Sequence, residues 1–117
     1  MEVERKYYKN GQLKKVCYWV EKVFLYREDG PAYISYYENG QVEFEVYFMY
    51  VYNKCGNIIH REDGPARVKY YESGQVELEH HFIKDMFHRE DGPAIMEYYE
   101  DGTIRREEYY LNNVRIK

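Results

Sequence analysis

Arginine, aspartate and histidine recur in this chain at fixed offsets. Arg27, Arg61 and Arg89 are followed two residues later by Asp29, Asp63 and Asp91, and His60 and His88 directly precede the last two arginines. Stacked guanidinium groups beside turn amides are one way to hold an anion. The same residues can instead pair internally, each arginine forking onto a carboxylate and pinning one turn to the next. Because an aspartate accompanies every arginine, charge is neutralised where it arises. We read Arg27, Asp29, Arg61, Asp63, Arg89 and Asp91 as a structural turn ladder.

Other reactive side chains fit catalysis or metal binding poorly. His60, His80, His81, His88 and Cys55 lack ligand-type spacing. Adjacent His80 and His81 would point to opposite faces of a strand, and His60 and His88 hold equivalent places in successive repeats. Glu43, Glu45, Glu77 and Glu79 resemble paired carboxylates, yet no pocket-forming loop is at hand to raise a pKa. No nucleophile elbow, phosphate-cradling glycine loop or triad is present. The expectation is a non-enzyme with no catalytic residues, no metal and no cofactor.

These residues are placed by a repeat. His-Arg-Glu-Asp-Gly-Pro-Ala occurs at His60–Ala66 and His88–Ala94, and again at Tyr26–Ala32 with its first residue changed. A second phrase, Tyr-Tyr-x-x-Gly, occurs at Tyr7, Tyr36, Tyr70 and Tyr98. Such self-similarity marks one small unit stacked on copies of itself. Between the phrases residues alternate with period two and β-branched or aromatic enrichment, a strand signal.

A three-residue loop, Glu38-Asn39-Gly40 with Gly40 left-handed, pairs Tyr36 with Val42, Ser35 with Glu43, Ile34 with Phe44 and Ala32 with Val46. That register gives one apolar and one polar face, whereas a two-residue loop would pair Ile34 with Glu45 and Ser35 with Phe44. The same loop sets Val68 against Leu78, Lys69 against Glu77, Arg67 against Glu79 and Glu97 against Arg105. The first and last hairpins carry charge on the inner face, as outer units of a complete, capped array would.

The expected fold is therefore all-β: an elongated antiparallel sheet of four stacked β-hairpin repeats in a single domain, residues 1–117, with units near 1–26, 27–60, 61–88 and 89–117. A small closed barrel is the alternative. An open sheet leaves two edges, so a homodimer through an edge or terminal hairpin is a further expectation.

Composition narrows the function classes. A net charge of −4 without a clustered basic face argues against nucleic-acid binding. Cys17 and Cys55 read as reduced thiols, Met1–Lys6 lacks an apolar leader core, and no stretch is apolar enough to cross a membrane as a helix. The expected location is cytoplasmic.

With these phrases in hand, the chain resembles the MORN-like (MORN-variant) repeat, whose units join Tyr-Tyr-x-Asn-Gly to His-Arg-Glu-Asp-Gly-Pro-Ala. Tyr36–Val42, Tyr70–Val76 and Tyr98–Ile104 carry the first phrase, and Arg27–Ala32, Arg61–Ala66 and Arg89–Ala94 the second. The resemblance implies a run of antiparallel hairpins of a kind found in bacteria, in some cases as antitoxins, and in large DNA viruses, where the location would be host cytoplasm. Units spaced 28 residues apart (Tyr70 to Tyr98) and without a Gly-x-Gly ending depart from the usual repeat. Those departures argue against the membrane binding attached to the family name.

The second unit is longer, 34 residues from Tyr36 to Tyr70, and its surplus falls within Met49–Asn57. Insertions in repeats map to loops, often on the binding face. Met49, Tyr50, Val51 and Tyr52 are accordingly the candidate protein-binding residues, against the plainer reading of a tolerated long hairpin tip. The expected function is a non-enzymatic module for protein–protein interaction. The alternatives are antitoxin-like neutralisation of a toxin, and binding of an anion or lipid headgroup.

Overall fold

The structure is a computed structural model and describes residues 2–50 and 57–117. Those residues hold strands and turns and no helix. In chain order the strands are β1 (Glu2–Tyr7), β2 (Leu13–Val20), β3 (Phe24–Leu25), β4 (Tyr33–Tyr36), β5 (Val42–Val46), β6 (Phe48–Met49), β7 (Ile58–Ile59), β8 (Arg67–Tyr70), β9 (Val76–His80), β10 (Phe82–Ile83), β11 (Met86–Phe87), β12 (Ile95–Tyr98), β13 (Ile104–Glu108), β14 (Tyr110–Leu111) and β15 (Val114–Arg115). The main sheet is antiparallel and open, in the order β1-β2-β4-β5-β8-β9-β12-β13, with β3 added to β2. The molecule measures 43 × 42 × 18 Å, a plate one sheet thick.

Each long hairpin turns through the three-residue loop read from the sequence. Gly40 N–H donates to Tyr37 O and Tyr37 N–H to Gln41 O, with Gly40 at φ +92°. An L side chain at that φ would crowd its own backbone, so glycine ends the loop. The first pair beyond it, Tyr36 with Val42, is also the expected one.

Further from the turn the expected register is wrong. A bulge between Ser35 and Tyr36 shifts the pairing, so Ser35 faces Phe44, Ile34 faces Glu45 and Tyr33 faces Val46. The third and fourth hairpins repeat the shift, setting Lys69 against Leu78, Val68 against Glu79, Arg67 against His80 and Glu97 against Arg106. The physical reason is the extra residue of the bulge, which lies beside its successor on one face. Glu43 therefore still reaches Ser35 Oγ (3.3 Å), Glu77 reaches Lys69 (3.3 Å) and Arg105 reaches Glu97 (2.9 Å). Those polar pairs satisfy either register, but only the bulge separates Ile34 from Phe44 and Val68 from Leu78. The sheet consequently has apolar residues on both faces, and the inner-versus-outer division fails.

Hydrophobic cover is correspondingly thin and two-sided. Val16, Ala32, Ala66, Val68, Ala94 and Met96 are buried along one face, and Cys17, Val46, Phe82 and Ile95 along the other. Among the described residues no large side chain is fully buried. Contacts between units must therefore supply much of the cohesion.

Tyrosine doublets provide part of it. The second tyrosine reaches forward: Tyr8 Oη donates to Tyr36 O, Tyr37 Oη to Tyr70 O and Tyr71 Oη to Tyr98 O, each at 2.7 Å. The first reaches back, Tyr70 Oη to Glu45 (2.7 Å) and Tyr98 Oη to Glu79 (3.0 Å). Burial, then the bond to Glu45, pushes the Tyr70 hydroxyl pKa well up, keeping it a donor. Tyr7 and Tyr99, at the outer doublets, are 59% and 50% exposed.

A second set of short hairpins escaped the sequence reading. β10 pairs with β11 around Lys84-Asp85, and β14 with β15 around Asn112-Asn113. All four turn residues have positive φ, the geometry of a tight two-residue turn matched to strand twist. β6 pairs with β7 in the second unit, where residues 50–57 replace the two-residue turn.

Candidate interaction surface

Each turn-ladder arginine donates Nε–H to the aspartate two residues on, at 3.1 Å for Arg27–Asp29, 3.0 Å for Arg61–Asp63 and 3.1 Å for Arg89–Asp91. Arg61 and Arg89 also donate Nη1–H to Pro65 O and Pro93 O at 3.2 Å, so each guanidinium spans its own turn. Arg27 stacks over Tyr18 and Arg61 over Tyr47, with 4.4 and 4.1 Å to the ring centroids. The turn glycines serve this close approach. A Cβ at Gly92 would stand 2.9 Å from Arg89 Cζ, and one at Gly64 3.0 Å from Arg61 Cζ. Neither has positive φ, so the Asp-Gly step answers a need for space as well as for turning.

Between successive turns lie two open clefts of about 620 and 680 Å³. The cleft between the last two turns is lined by Glu62, Asp63, Glu90 and Asp91 against Arg61 and Arg89. Both arginines already serve their aspartates, which leaves an acid-lined hollow.

His60 and His88 are anchor points between units. His60 Nδ1 accepts the Lys84 N–H and His88 Nδ1 accepts the Asn112 N–H, both at 3.0 Å. With Nδ1 accepting, the neutral ring carries its proton on Nε2, 3.6 Å from Glu62 in one case and 3.7 Å from Glu90 in the other. The turn's second residue completes the clasp. Asp85 accepts Ile59 N–H (2.6 Å) and donates its own N–H to Ile59 O (2.8 Å). Asn113 does the same with Phe87, at 3.2 and 2.8 Å. Each short turn thus grips the unit before it.

At the first junction this arrangement changes. Asn57 Oδ1 still accepts Leu25 N–H (2.7 Å), but the anchor position is Tyr26, which has no Nδ1. Tyr50 fills the place instead, its ring 5.7 Å from Tyr26 and 6.0 Å edge-on from Phe24. Met49 lies in β6 beside it and lines the same cleft. Val51, Tyr52 and Cys55 lie outside the described residues.

His80 and His81 point to opposite faces. His81 lines the acid cleft, while His80 packs against Phe82 and Phe87 and accepts from Arg67 at 2.9 Å. Burial, reinforced by the facing arginine (Arg67 for His80, Arg89 for His81), lowers each pKa to about 4. His80 Nε2 is buried without a hydrogen-bond partner, its ring meeting Phe87 at 5.5 Å and 77°. Such a pair contributes a weak ring contact in place of a full bond.

The long hairpin recurs four times along the chain, and a family model matches it at the same four places. The MORN repeat variant model matches residues 3–21, 32–49, 66–84 and 95–112. The chain belongs to the MORN repeat variant family. No curated protein and no solved structure matched it. The matched segments hold the long hairpins of the MORN repeats. The stretches between them carry the arginine turns, the histidine anchors and the extra residues of the second unit. Sequence reasoning missed the anchors because its strand alternation stopped at the long hairpins. Asn112-Asn113 between Leu111 and Val114 was a legible hairpin signal, because asparagine tolerates positive φ; Lys84-Asp85 adopts the same φ without so clear a residue preference.

Proposed function

We propose that this MORN repeat chain is a non-enzymatic module that binds a protein partner. Its contact is the edge carrying Met49 and Tyr50, and Val51 and Tyr52, which follow in the sequence, are assigned to the same contact. One observation carries the reading. The two departures from the repeat, Tyr26 in place of histidine and the longer segment after Met49, meet at a single junction. A two-residue turn and a histidine make the same connection in the later units, so folding alone does not require the substitution. Added aromatic side chains on a repeat's loop edge are suited to anchoring a partner.

Capture from native lysate with Tyr52→Ser tests it, because that change leaves the Tyr26–Tyr50 contact in place. The expected result is loss of specifically captured protein with an unchanged unfolding midpoint. Identical capture by both forms, or none by either, overturns the reading.

A second reading, antitoxin-like cover of a basic toxin, is favoured by the exposed carboxylates of Glu62, Asp63, Glu90 and Asp91. An adjacent toxin reading frame would support it and an array of paralogous repeat genes would oppose it. The same carboxylates disfavour a phosphate or lipid headgroup in those clefts. The outer strands β1 and β13 leave backbone edges open to self-pairing, the route we propose for any homodimer.

A further inference from the structure

On the face away from the arginine turns, Tyr33, Phe44, Val46, Phe48, Ile59 and Arg67 line a groove of about 300 Å³. The next unit shows why it is open. Val46 and Ile59 stand where that unit has His80 and Phe87. There Phe87 stacks on Phe82 at 4.4 Å, and His80 meets Phe87 at 5.5 Å, filling the equivalent space. Two smaller side chains in one repeat thus leave an apolar slot that its neighbour closes with its own residues.

Arg67 gives the slot a sign. Its guanidinium lies over the Phe82 ring at 5.0 Å and donates to His80 Nδ1, a neutral acceptor. Among the described residues it pairs with no carboxylate, unlike Lys69 on the same face, which is bridged to Glu77. Burial lowers its pKa, the expected consequence of a cation held against apolar groups without a counter-charge. Lys15 Nζ lies 5.9 Å from the centroid of the Tyr33 ring, which is one wall of the groove. A partly buried guanidinium with open donors is satisfied best by a carboxylate, which accepts two of its N–H groups at once.

We propose that this groove docks a segment of a protein partner that presents an apolar or aromatic side chain next to an acidic one, the apolar group between Val46 and Ile59 and the carboxylate on Arg67. The inference rests on the reading of the chain as a protein-binding module and deepens it: Phe48 lines both this groove and the cleft beside Tyr50, so one partner could span the two.

The test uses the full chain and blocked dipeptides, acetyl-Phe-Glu-amide against acetyl-Phe-Gln-amide and acetyl-Phe-Lys-amide, followed by amide and arginine side-chain NMR shifts. Expected are saturable shifts at Tyr33, Val46, Phe48 and the Arg67 Nε–H with the Glu peptide, at the millimolar affinity usual for so small a ligand. Binding should be at least about fivefold weaker with the Gln peptide and absent with the Lys peptide, on the scale of a charge-assisted bond. Ile59→Phe, which grafts the neighbouring unit's residue, and Arg67→Gln should each abolish it, with unchanged amide positions at Ile95 reporting an intact fold.

Absence of saturable shifts, equal response to the Glu and Gln peptides, or undiminished binding by Ile59→Phe overturns the proposal. So do groove shifts that follow protein concentration alone, which would place a second copy there, or the same shifts produced by phosphatidylcholine–phosphatidylglycerol vesicles. The titration needs no native partner, so its failure removes the groove and leaves the Tyr52 capture result to decide the broader reading.

Discussion

The Tyr26 and Tyr50 rings lie 5.7 Å apart, tilted by 45°, at the junction where the histidine clasp is replaced. Elsewhere an imidazole nitrogen accepts a turn amide; here a tilted pair of rings, with Phe24 edge-on to Tyr50, stands at the corresponding junction. A directional polar contact has been exchanged for an aromatic one. The segment that brings Tyr50 there is also the one proposed to meet a partner.

Tyr50→Ala should therefore destabilise the chain by about 1–2 kcal/mol, combining lost ring pairing with lost apolar burial. Urea unfolding measures the total. Hydrogen exchange should locate it at the Leu25 amide, which depends on Asn57 in the same segment. Unchanged stability would show that the ring pair contributes nothing to the junction.

His88→Phe keeps a ring of similar size and removes Nδ1. The Asn112 amide loses its acceptor, so its exchange should quicken while amides in β9 and β12 keep their protection. The expected cost is about 1 kcal/mol, one hydrogen bond. Unaltered exchange at Asn112 would refute the clasp.

Tyr37→Phe and Tyr71→Phe should each cost about 1 kcal/mol, since each hydroxyl bridges to the backbone of the following unit. Tyr99→Phe serves as the internal comparison, because Tyr99 belongs to the last doublet and is half exposed. It should change stability by less than about 0.5 kcal/mol. Equal effects at all three positions would contradict a stabilising role for the tyrosine hydroxyl bonds between units.

Acid should weaken the fold before the carboxylates titrate. His80 and His81 stay neutral in the fold down to about pH 4, against an ordinary value of 6.5 in the unfolded chain. Between those limits the unfolded state binds more protons. Stability is therefore fully present above pH 6.5 and declines as pH falls toward 4. The slope is at most about 1.4 kcal/mol per pH unit for each ring, less what solvent screens. Urea midpoints across that window measure it, and His80→Phe should flatten part of the slope. A level profile in the wild type contradicts the assignment.

The two glycine sets should respond differently to alanine. Gly40→Ala forces a left-handed φ on an L residue, at roughly 1–2 kcal/mol. Gly92→Ala meets only the movable end of Arg89, and it should cost less, about 0.5–1 kcal/mol, as the guanidinium shifts off Pro93 O. Thermal melts of the two variants give the order, and the reverse order would contradict the distinction drawn from φ.

The repeat, the all-β character and the three-residue loops ending at Gly40, Gly74 and Gly102 followed from the sequence alone, because turns and strand alternation are local. The arginine–aspartate offset was equally visible, though not that Arg89 needs the space left by Gly92. Tertiary structure decided what depends on neighbours in space. Polar pairs such as Lys69 with Glu77 are compatible with or without a bulge, so side-chain pattern could not reveal the shift that puts Ile34 and Phe44 on opposite faces. The clasp of Lys84 on His60 and the meeting of Tyr26 with Tyr50 join residues 24 positions apart in each case. Val46 read as an apolar-face residue paired with Ala32, and the slot beside it emerged only when stacking set Val46 and Ile59 next to a unit with larger residues in their places. Periodicity specifies a unit, and only the contacts between units show where one copy differs from the rest.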